Sequence, residues 1–260
     1  MLIKACLNGG SDHPAAPVTP AELARDARAV VDAGAQAIHI HPRSVSGEQS
    51  LAAEDVLPAV AAIRAAVPGI PVGVTTGIWV VDDDPSRRLE LVGAWDGPDM
   101  PDFASINMNE EGIAPLAALL SSRGIAIEAG IWVPTEVDVL AASGFADSIV
   151  RVLIEPEESS GAEAVATVTA VEEALDRQVI TAPTVAHGYD QATWDVIRRC
   201  VRLGRGFRVG IEDTTVLPDG SPAAGNADLV AAAVALVRSG PVGSGGPEAV
   251  LLLRLHGPVV

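Results

Sequence analysis

The strongest constraint on the fold is a repeated alternation between short β-branched apolar runs and longer Ala/Leu-rich amphipathic segments. The short runs predict strands and the amphipathic segments predict helices. Strands are predicted at residues 2–7, 35–41, 71–76, 103–106, 125–129, 148–154, 179–185 and 208–211. Helices are predicted at residues 20–31, 52–66, 85–95, 114–121, 135–142, 162–175, 192–203 and 226–238.

Eight strand–helix units are the number that an α/β fold of the (β/α)8 TIM-barrel type requires. The alternative is an open doubly wound sheet, whose first turn usually carries a Gly-rich phosphate-binding fingerprint before a helix. Asn8-Gly9-Gly10 lacks the third glycine and precedes a long loop, so the sequence favours the barrel. We expect one barrel domain at residues 1–240. Residues 241–260 are expected to form a short C-terminal extension that docks on the barrel or on a neighbouring subunit.

The start of the first predicted helix carries several signals. Thr19 is a candidate N-cap, Pro20 suits the first helical position, and Glu22 completes a capping box. Gly34 follows the helix as a C-terminal glycine.

The charge and cysteine content exclude several classes of protein. The chain has 17 Lys and Arg against 34 Asp and Glu, a formal net charge of −17, which argues against nucleic acid or an anionic membrane as principal partner. Cys6 and Cys200 are the only two cysteines, too few for a secreted disulfide scaffold. The N-terminus lacks a signal-peptide layout and the apolar runs are too short to span a bilayer. We therefore expect a cytoplasmic protein that acts on a small molecule.

His39 and His41 lie two residues apart in the second predicted strand. Successive side chains of a strand point to opposite faces, so the two imidazoles share one face about 6–7 Å apart along the strand. At that spacing they can bind one metal ion, because neutral imidazole offers a lone pair near pH 7. The alternative is two histidines at a polar strand end, each hydrogen-bonded to a carboxylate.

Polar and ionisable residues also follow the other predicted strands. In a (β/α)8 barrel these positions meet at one mouth, where the catalytic groups lie. They are Asn8; His39, His41 and Arg43; Thr75 and Thr76; Ser105 and Asn107; Glu128; Glu155; His187; and Glu212 with Asp213. Such crowding at one rim predicts an active site rather than a barrel built only for stability.

The last predicted strand supplies a third candidate ligand. Residues 208, 210 and 212 are expected to share one strand face, so Arg208 and Glu212 would both point into the barrel, with Gly210 leaving space between them. Two histidines and one carboxylate are the usual protein share of a catalytic zinc site. Asp213, at the following turn, is a candidate base or a partner of a ligand.

Other residues admit both a structural and a functional interpretation. Glu128 follows three apolar residues, so we expect it inside the barrel with a partner such as Arg208 or the metal. Asn8 is as well suited to capping a loop as to touching a ligand. Thr75 and Thr76 are also good strand formers ahead of a turn glycine.

Four further residues stay open between the two interpretations. Glu155 lies in an acidic run and His13 in a polar loop, both typical of solvated segments. Trp79 and Trp132 follow strands at the expected catalytic face. They would either line an apolar side of the pocket or pack in a subunit interface.

Taken together, the motifs resemble those of the beta-keto acid cleavage enzyme family, whose founding activity is cleavage of 3-keto-5-aminohexanoate. The principal motifs are His39-Ile40-His41, Thr75-Thr76-Gly77 and Gly210-Ile211-Glu212-Asp213. Further similarity lies in Leu7-Asn8-Gly9, Pro17-Val18-Thr19-Pro20, Ala33-Gly34-Ala35, His187-Gly188 and Asn226-Ala227-Asp228-Leu229-Val230. The resemblance extends from Ile3 to about Val237.

The resemblance implies a (β/α)8 barrel, a homotetramer, and zinc or a similar divalent metal. Family members react a β-keto acid with acetyl-CoA, giving acetoacetate and the CoA ester of the remaining fragment. The positions that match the family's functional residues are the metal ligands His39, His41 and Glu212 and the active-site residues Arg208, Asp213, Glu128 and Thr75. Two stretches depart from the family pattern, namely Ile78-Trp79 and Asn107-Met108-Asn109-Glu110-Glu111.

The sequence-based hypothesis is therefore a retro-Claisen cleavage. The metal would bind the keto oxygen and the carboxylate of the substrate and stabilise an enolate-like charge. Asp213, backed by Arg208 and Glu128, would transfer the proton. The predicted substrate contacts are Thr75, Thr76, Asn107, Asn8, Arg43 and His187. The alternatives are a metal-dependent aldolase or hydrolase that acts on a keto acid without CoA, and a non-catalytic metal- or ligand-binding barrel.

Overall fold

The computed structural model describes residues 1–239, which form a closed barrel of eight parallel strands in sequential order. The strands are β1 Ile3–Cys6, β2 Ala37–Ile40, β3 Val72–Val74, β4 Phe103–Asn107, β5 Ala126–Ile131, β6 Ile149–Ile154, β7 Thr184–Ala186 and β8 Gly206–Val209. The helices are α1 Pro20–Ala33, α2 Ala53–Ala66, α3 Pro85–Gly93, α4 Ile113–Ser122, α5 Glu136–Ala142, α6 Gly161–Arg177, α7 Ala192–Leu203 and α8 Asn226–Ser239. The predicted (β/α)8 barrel is confirmed.

The first and last strands close the barrel. Lys4 pairs with Arg208 across the parallel β1–β8 ladder, and α1 packs against α8 on the outside. Every strand is buried along most of its length, since helices cover one face and lumen side chains cover the other. Ile38 and Ile40 belong to the apolar core, so His39 points to the opposite face, toward the lumen.

The predicted start of α1 is confirmed in detail. The Thr19 hydroxyl accepts a hydrogen bond from the Glu22 backbone N–H at 3.3 Å, and the Glu22 carboxylate accepts one from the Thr19 N–H at 2.8 Å. Pro20 occupies the first helical turn, where its missing N–H leaves no intrahelical bond unmade. Gly34 ends the helix at φ 122°.

Several strand predictions extend too far at one end or at both, most of all at β7, and β8 ends before the predicted residue 211. β7 begins at Thr184 rather than at residue 179, because Val179 takes a left-handed φ of 58° in the turn after α6. β8 ends at Val209, and the Asp213 and Thr214 N–H groups both donate to the Gly210 carbonyl. Residues 210–213 are therefore a turn, and the expectation that residues 208, 210 and 212 share one strand face is wrong.

Gly210 also differs from its expected role. A β-carbon at this position would overlap the backbone carbonyl of Cys6, so the glycine allows β8 and β1 to approach closely rather than leaving lumen space. Two short 3-10 helices, Ile78–Val81 and Ala146–Ser148, were not predicted.

The predicted extension at residues 241–260 lies outside the described residues. Among residues 1–239, none of the helices combines the length and apolarity needed to cross a bilayer.

Candidate active site

Two histidines and one carboxylate meet at the mouth of the barrel. His39 lies near the end of β2, His41 directly follows that strand, and Glu212 lies in the turn after β8. One ligand atom from each side chain lies within 4.8 Å of the other two. The His41 Nε2 atom is 3.3 Å from Glu212 Oε1, and the two imidazole rings meet edge to face with centroids 5.1 Å apart.

The protonation states of this trio fit a divalent cation. Burial lowers the pKa of His39 well below its usual value, so its ring is neutral and offers a lone pair. Burial opposes ionisation of Glu212, but Arg208 and the two histidines hold the pKa of this carboxyl well below its usual range. Nitrogen and carboxylate donors in this number are typical of zinc and related metals.

Two polar atoms of the trio also lack a partner. His39 Nδ1 and Glu212 Oε2 are buried and make no hydrogen bond to any residue that the structure describes. A buried polar atom without a partner is costly, and a cation bound between these side chains would remove that cost. The residues therefore fit the metal that the family resemblance implies.

The loop after β1 holds the trio in place. The fully buried Asn8 amide accepts from the His41 N–H at 2.9 Å and donates to the His41 carbonyl at 2.8 Å. Its neighbour Gly9 has a φ of 48°, and a β-carbon there would overlap Glu212 Cγ. Asn8, which the sequence predicted as a substrate contact, thus uses its amide on the backbone of a candidate ligand.

Arg208 and Asp213 form a buried pair beside the trio. The Arg208 Nη2 atom is 2.5 Å from Asp213 Oδ1 and 3.1 Å from Glu212 Oε1. Burial works against the charge of Arg208, but Asp213 and Glu212 raise its pKa well above the usual value, so it stays a cation. The Cys6 thiol donates to Asp213 Oδ2 at 2.9 Å, and burial together with Asp213 raises the pKa of this thiol.

His187 connects this pair to a further carboxylate. It is fully buried, with Nδ1 3.2 Å from Asp213 Oδ1 and 3.1 Å from the Gly188 carbonyl, and with Nε2 3.0 Å from Glu155 Oε2. Burial disfavours the charged form of Glu155, but the bond from His187 and the charge of Arg208 lower its pKa. Both ring nitrogens of His187 therefore contact protein oxygens, and Glu155 belongs to the buried network rather than to a solvated loop.

Glu128 lies inside the barrel, as expected, but its partners are Lys4 and Arg151. The Lys4 Nζ atom is 2.5 Å from Glu128 Oε2, and Arg151 Nε donates to Glu128 Oε1. Burial raises the pKa of Glu128, but Lys4 and Arg151 outweigh it and lower the pKa, whereas burial lowers the pKa of Lys4. From the sequence, Arg208 or the metal was the expected partner. The sequence signal for the observed partners is one basic residue within each of two apolar strands, at Lys4 and Arg151.

The other predicted substrate contacts make bonds within the loops at the mouth. The Thr75 hydroxyl accepts from the Gly77 N–H at 3.0 Å, and the Thr76 hydroxyl donates to the Ser105 carbonyl at 2.5 Å. Arg43 donates to the carbonyls of Gly47 and Gly9 at 3.0 and 2.5 Å.

Asn107 lies at the end of β4 and is held by a buried ion pair. Its Nδ2 atom donates to Glu110 Oε1 at 2.8 Å, and Glu110 in turn pairs with the buried Arg88 of α3. Arg88 also donates to the backbone carbonyls of Thr76 and Glu111. The loop that departs from the family pattern is therefore anchored to the preceding helix.

Three residues that the sequence left open have distinct surroundings. The Trp79 ring stacks on His41 with centroids 6.4 Å apart and an angle of 26°, and 44% of the residue is exposed. His13 accepts a hydrogen bond from the Ala15 N–H at 3.1 Å, within its own loop. Trp132 is half-buried, and its backbone N–H donates to the Glu136 carboxylate at 2.6 Å. Trp79 is thus the one of these three that contacts the trio.

The fold and the site define a class of protein, a (β/α)8 barrel with a candidate metal centre beside a buried arginine–aspartate pair at its catalytic mouth. The sequence model of the beta-keto acid cleavage enzyme family matches residues 1–240. The chain therefore belongs to the beta-keto acid cleavage enzyme family.

Solved structures of other barrels resemble the chain at low sequence identity. The binary complex of ObcA with oxaloacetate has a TM-score of 0.67 at 16% identity, covering 84% of this chain and 62% of that chain. The homocysteine methyltransferase MmuM from Escherichia coli, in its oxidized form, has a TM-score of 0.56 at 16% identity, covering 90% and 95%. The 3-dehydroquinate dehydratase from Aquifex aeolicus VF5 has a TM-score of 0.55 at 11% identity, covering 91% and 97%. These similarities show the barrel fold, and the chain spans 62% of the length of ObcA.

Proposed function

We propose that this protein is a divalent-metal-dependent enzyme that cleaves a β-keto acid by a retro-Claisen reaction with acetyl-CoA. The products would be acetoacetate and the CoA ester of the remaining fragment. The observation that carries the proposal is the trio of His39, His41 and Glu212, two of whose buried atoms have no partner among the described residues. Membership of the family supports the substrate class, and the oxaloacetate in the ObcA complex is itself a β-keto acid.

The trio would hold the metal, which we propose to be zinc. When bound, a divalent ion supplies Lewis-acid polarisation of the keto oxygen, an effect worth several kcal/mol of charge stabilisation. The neutral His39 and the ionised Glu212 need not lose a proton first, because burial and nearby charges already set these states.

Asp213 is the group that we propose moves the proton. Arg208 and His187 both contact its Oδ1 atom, and the Cys6 thiol donates to its Oδ2 atom. These contacts fix the carboxylate beside Glu212 and hence beside the reacting carbons of a bound substrate. Arg208 remains charged throughout and offsets negative charge that develops in the site.

The remaining predicted residues would shape the substrate pocket. Glu128 keeps its proposed active-site role through the ion pairs with Lys4 and Arg151, which fix its charge inside the lumen. The residues proposed to contact or enclose the substrate are Thr75, Thr76, Asn107, Asn8, Arg43 and His187. The family resemblance also leads us to propose a homotetramer, which light scattering of the purified protein would test.

The deciding experiment is an assay of the purified protein after chelation and after reloading with Zn²⁺. A panel of β-keto acids is supplied with and without acetyl-CoA, and acetoacetate is measured. We expect turnover only with both metal and acetyl-CoA, and a loss of at least about 100-fold in His41→Ala because it removes a metal ligand. Turnover without acetyl-CoA would instead identify a metal-dependent aldolase or hydrolase.

Measuring the metal content distinguishes the proposed enzyme from a non-catalytic metal-binding barrel. We expect about one Zn²⁺ per chain in the wild type and in His13→Ala, whose imidazole accepts a hydrogen bond within its own loop, and far less in His41→Ala. Stoichiometric metal with no turnover on any β-keto acid would favour a non-catalytic metal-binding barrel. Metal content unchanged by His41→Ala would remove the basis of the proposal.

A further inference from the structure

Gln49 lies in the loop after β2 and contacts His41 from the side away from Glu212. Its Oε1 atom is 2.6 Å from His41 Nδ1 and 3.4 Å from the indole nitrogen of Trp79. Gln49 is half-buried, and it stood outside every motif considered in the sequence. One side-chain oxygen thus touches both a candidate metal ligand and the ring that stacks on it.

The chemistry of these partners fixes the direction of both bonds. The indole N–H of Trp79 is only a donor, so the Gln49 amide must turn its oxygen, rather than its NH2 group, toward the pair. The same oxygen can then only accept from His41, which places the imidazole proton on Nδ1. A ring that binds a metal ion is neutral and keeps one N–H, so a proton on Nδ1 would leave Nε2, the atom that faces Glu212 at 3.3 Å, free to bind the ion.

The backbone around Gln49 is held as firmly as its side chain. Arg43 and Gln49 form an antiparallel bridge, and Arg43 donates to the carbonyls of Gly47 and Gly9. Gly9 is the residue whose missing β-carbon leaves room for Glu212. The loop that carries Gln49 is therefore fixed to the same segment that positions the carboxylate ligand.

We propose that Gln49 is a positioning residue that sets the tautomer and the ring plane of His41 for metal binding, with Trp79 holding the Gln49 oxygen in place. This inference rests on the metal centre of the proposed function. The Gln49–His41 contact would then serve metal affinity and not substrate binding. Hydrogen-bond partners of ligating histidines act in this way in metal sites generally.

The test compares three variants in zinc titrations of the metal-free protein against a chromophoric chelator. Gln49→Leu removes the acceptor and is expected to weaken Zn²⁺ binding by about 10- to 100-fold. Gln49→Glu keeps an acceptor oxygen and is expected to bind within about threefold of the wild type, since a carboxylate is a common partner of ligating histidines. Trp79→Phe keeps a ring over His41 but lacks the N–H, and we expect it to fall between the two.

A second readout reports the tautomer directly and does not depend on activity. Long-range ¹H–¹⁵N correlation spectra of the Zn²⁺-loaded protein are expected to show a His41 Nδ1–H signal in the wild type and in Gln49→Glu. In Gln49→Leu this signal is expected to broaden or disappear, because the proton exchanges with water once its acceptor is removed. Thermal unfolding of Gln49→Leu close to that of the wild type would show that the loss of affinity is local.

The outcomes separate this inference from the proposed function. A wild type that binds no Zn²⁺ in the titration overturns the metal centre and the proposed function with it. A wild type that binds Zn²⁺, together with a Gln49→Leu variant of equal affinity and unchanged His41 Nδ1–H signal, overturns the role of Gln49 alone. Zn²⁺ affinity close to the wild type in Gln49→Glu supports the role, because glutamate keeps an oxygen that accepts the hydrogen bond from His41 and leucine does not.

Discussion

At the scale of single residues, the position of the Glu212 side chain depends on the lack of a β-carbon at Gly9. Gly9 has a φ of 48°, in the left-handed region, and a β-carbon there would overlap Glu212 Cγ. The next residue, Gly10, differs in both respects. A β-carbon at Gly10 would meet only the Gln49 amide, at an ordinary contact distance of 3.5 Å.

We therefore expect Gly9→Ala to displace Glu212 and to weaken Zn²⁺ binding at least about 10-fold, as loss of support around a ligand does. The strained φ should also lower the free energy of unfolding by about 1–2 kcal/mol. Chelator competition and urea unfolding measure the two effects, with Gly10→Ala as the matched control. Equal Zn²⁺ affinity in both variants would show that Glu212 is not positioned by Gly9.

The residues of the site differ in how far the sequence reveals them. His39 and His41 were predictable from the strand period, and Glu212 from the composition of a strand end. The turn that brings Glu212 to the site was not predictable, because it is formed by hydrogen bonds from later N–H groups to the Gly210 carbonyl. Gln49 carried no signal at all, since an amide in a polar loop looks the same whether or not it contacts a ligand.

At the scale of strands, the lumen contains a buried ion cluster made of Glu128 from β5, Lys4 from β1 and Arg151 from β6. Lys4 and Glu128 are fully buried in the barrel, so their attraction must offset a large desolvation cost. Removing one partner leaves a buried charge without its counter-ion, which is strongly destabilising. An exposed ion pair, by contrast, contributes little to the free energy of unfolding.

Lys4→Met is accordingly expected to lower the free energy of unfolding by about 3 kcal/mol, measured by urea denaturation. Adding Glu128→Gln to that variant should cost less than Glu128→Gln alone, with a coupling of about 1–3 kcal/mol. The control is Arg87→Met, which breaks the exposed Arg87–Glu90 pair and should change stability by less than about 0.5 kcal/mol. Strictly additive effects of the Lys4 and Glu128 changes would contradict the cluster.

The order and type of the elements were predictable because the apolar period of a helix or a strand is a local property of the sequence. The capping box at Thr19 and Glu22 is one such local signal. The ends of β7 and β8 were not predictable, because they depend on contacts between distant segments. At Gly210 the deciding contact is the carbonyl of Cys6, which lies at the other end of the chain.

At the scale of the whole molecule, one buried amide links the first and the last strand–helix units, which close the barrel. Asn226, at the start of α8, donates to the Leu7 carbonyl and to Asp26 of α1, each at 2.7 Å, and accepts from the Ile211 N–H at 2.7 Å. Burial raises the pKa of Asp26 from 3.8 to about 6. The folded protein therefore binds the Asp26 proton more tightly than the unfolded chain does.

That difference predicts a pH dependence of stability. The contribution of protonated Asp26 to the free energy of unfolding is fully present below about pH 4 and is lost as the pH rises through about 6. Asp26→Asn, which resembles the protonated acid, should raise the free energy of unfolding at pH 7 by about 1–3 kcal/mol and flatten its slope between pH 4 and 7. Urea unfolding across this range measures both, with the exposed Asp32→Asn on the same helix as control. A slope that persists unchanged in Asp26→Asn would refute the assignment.

The candidate ligands lie far apart in the sequence, two at the end of the second strand and one in the turn after the eighth. During synthesis on a ribosome the two histidines emerge early, but their carboxylate partner emerges only when nearly the whole barrel has been translated. Under the proposed function, a nascent chain can therefore offer a metal ion only two of the three ligands until the last strand has been made. Under the proposed function, acquisition of the ion would mark the moment at which the first and last strands join.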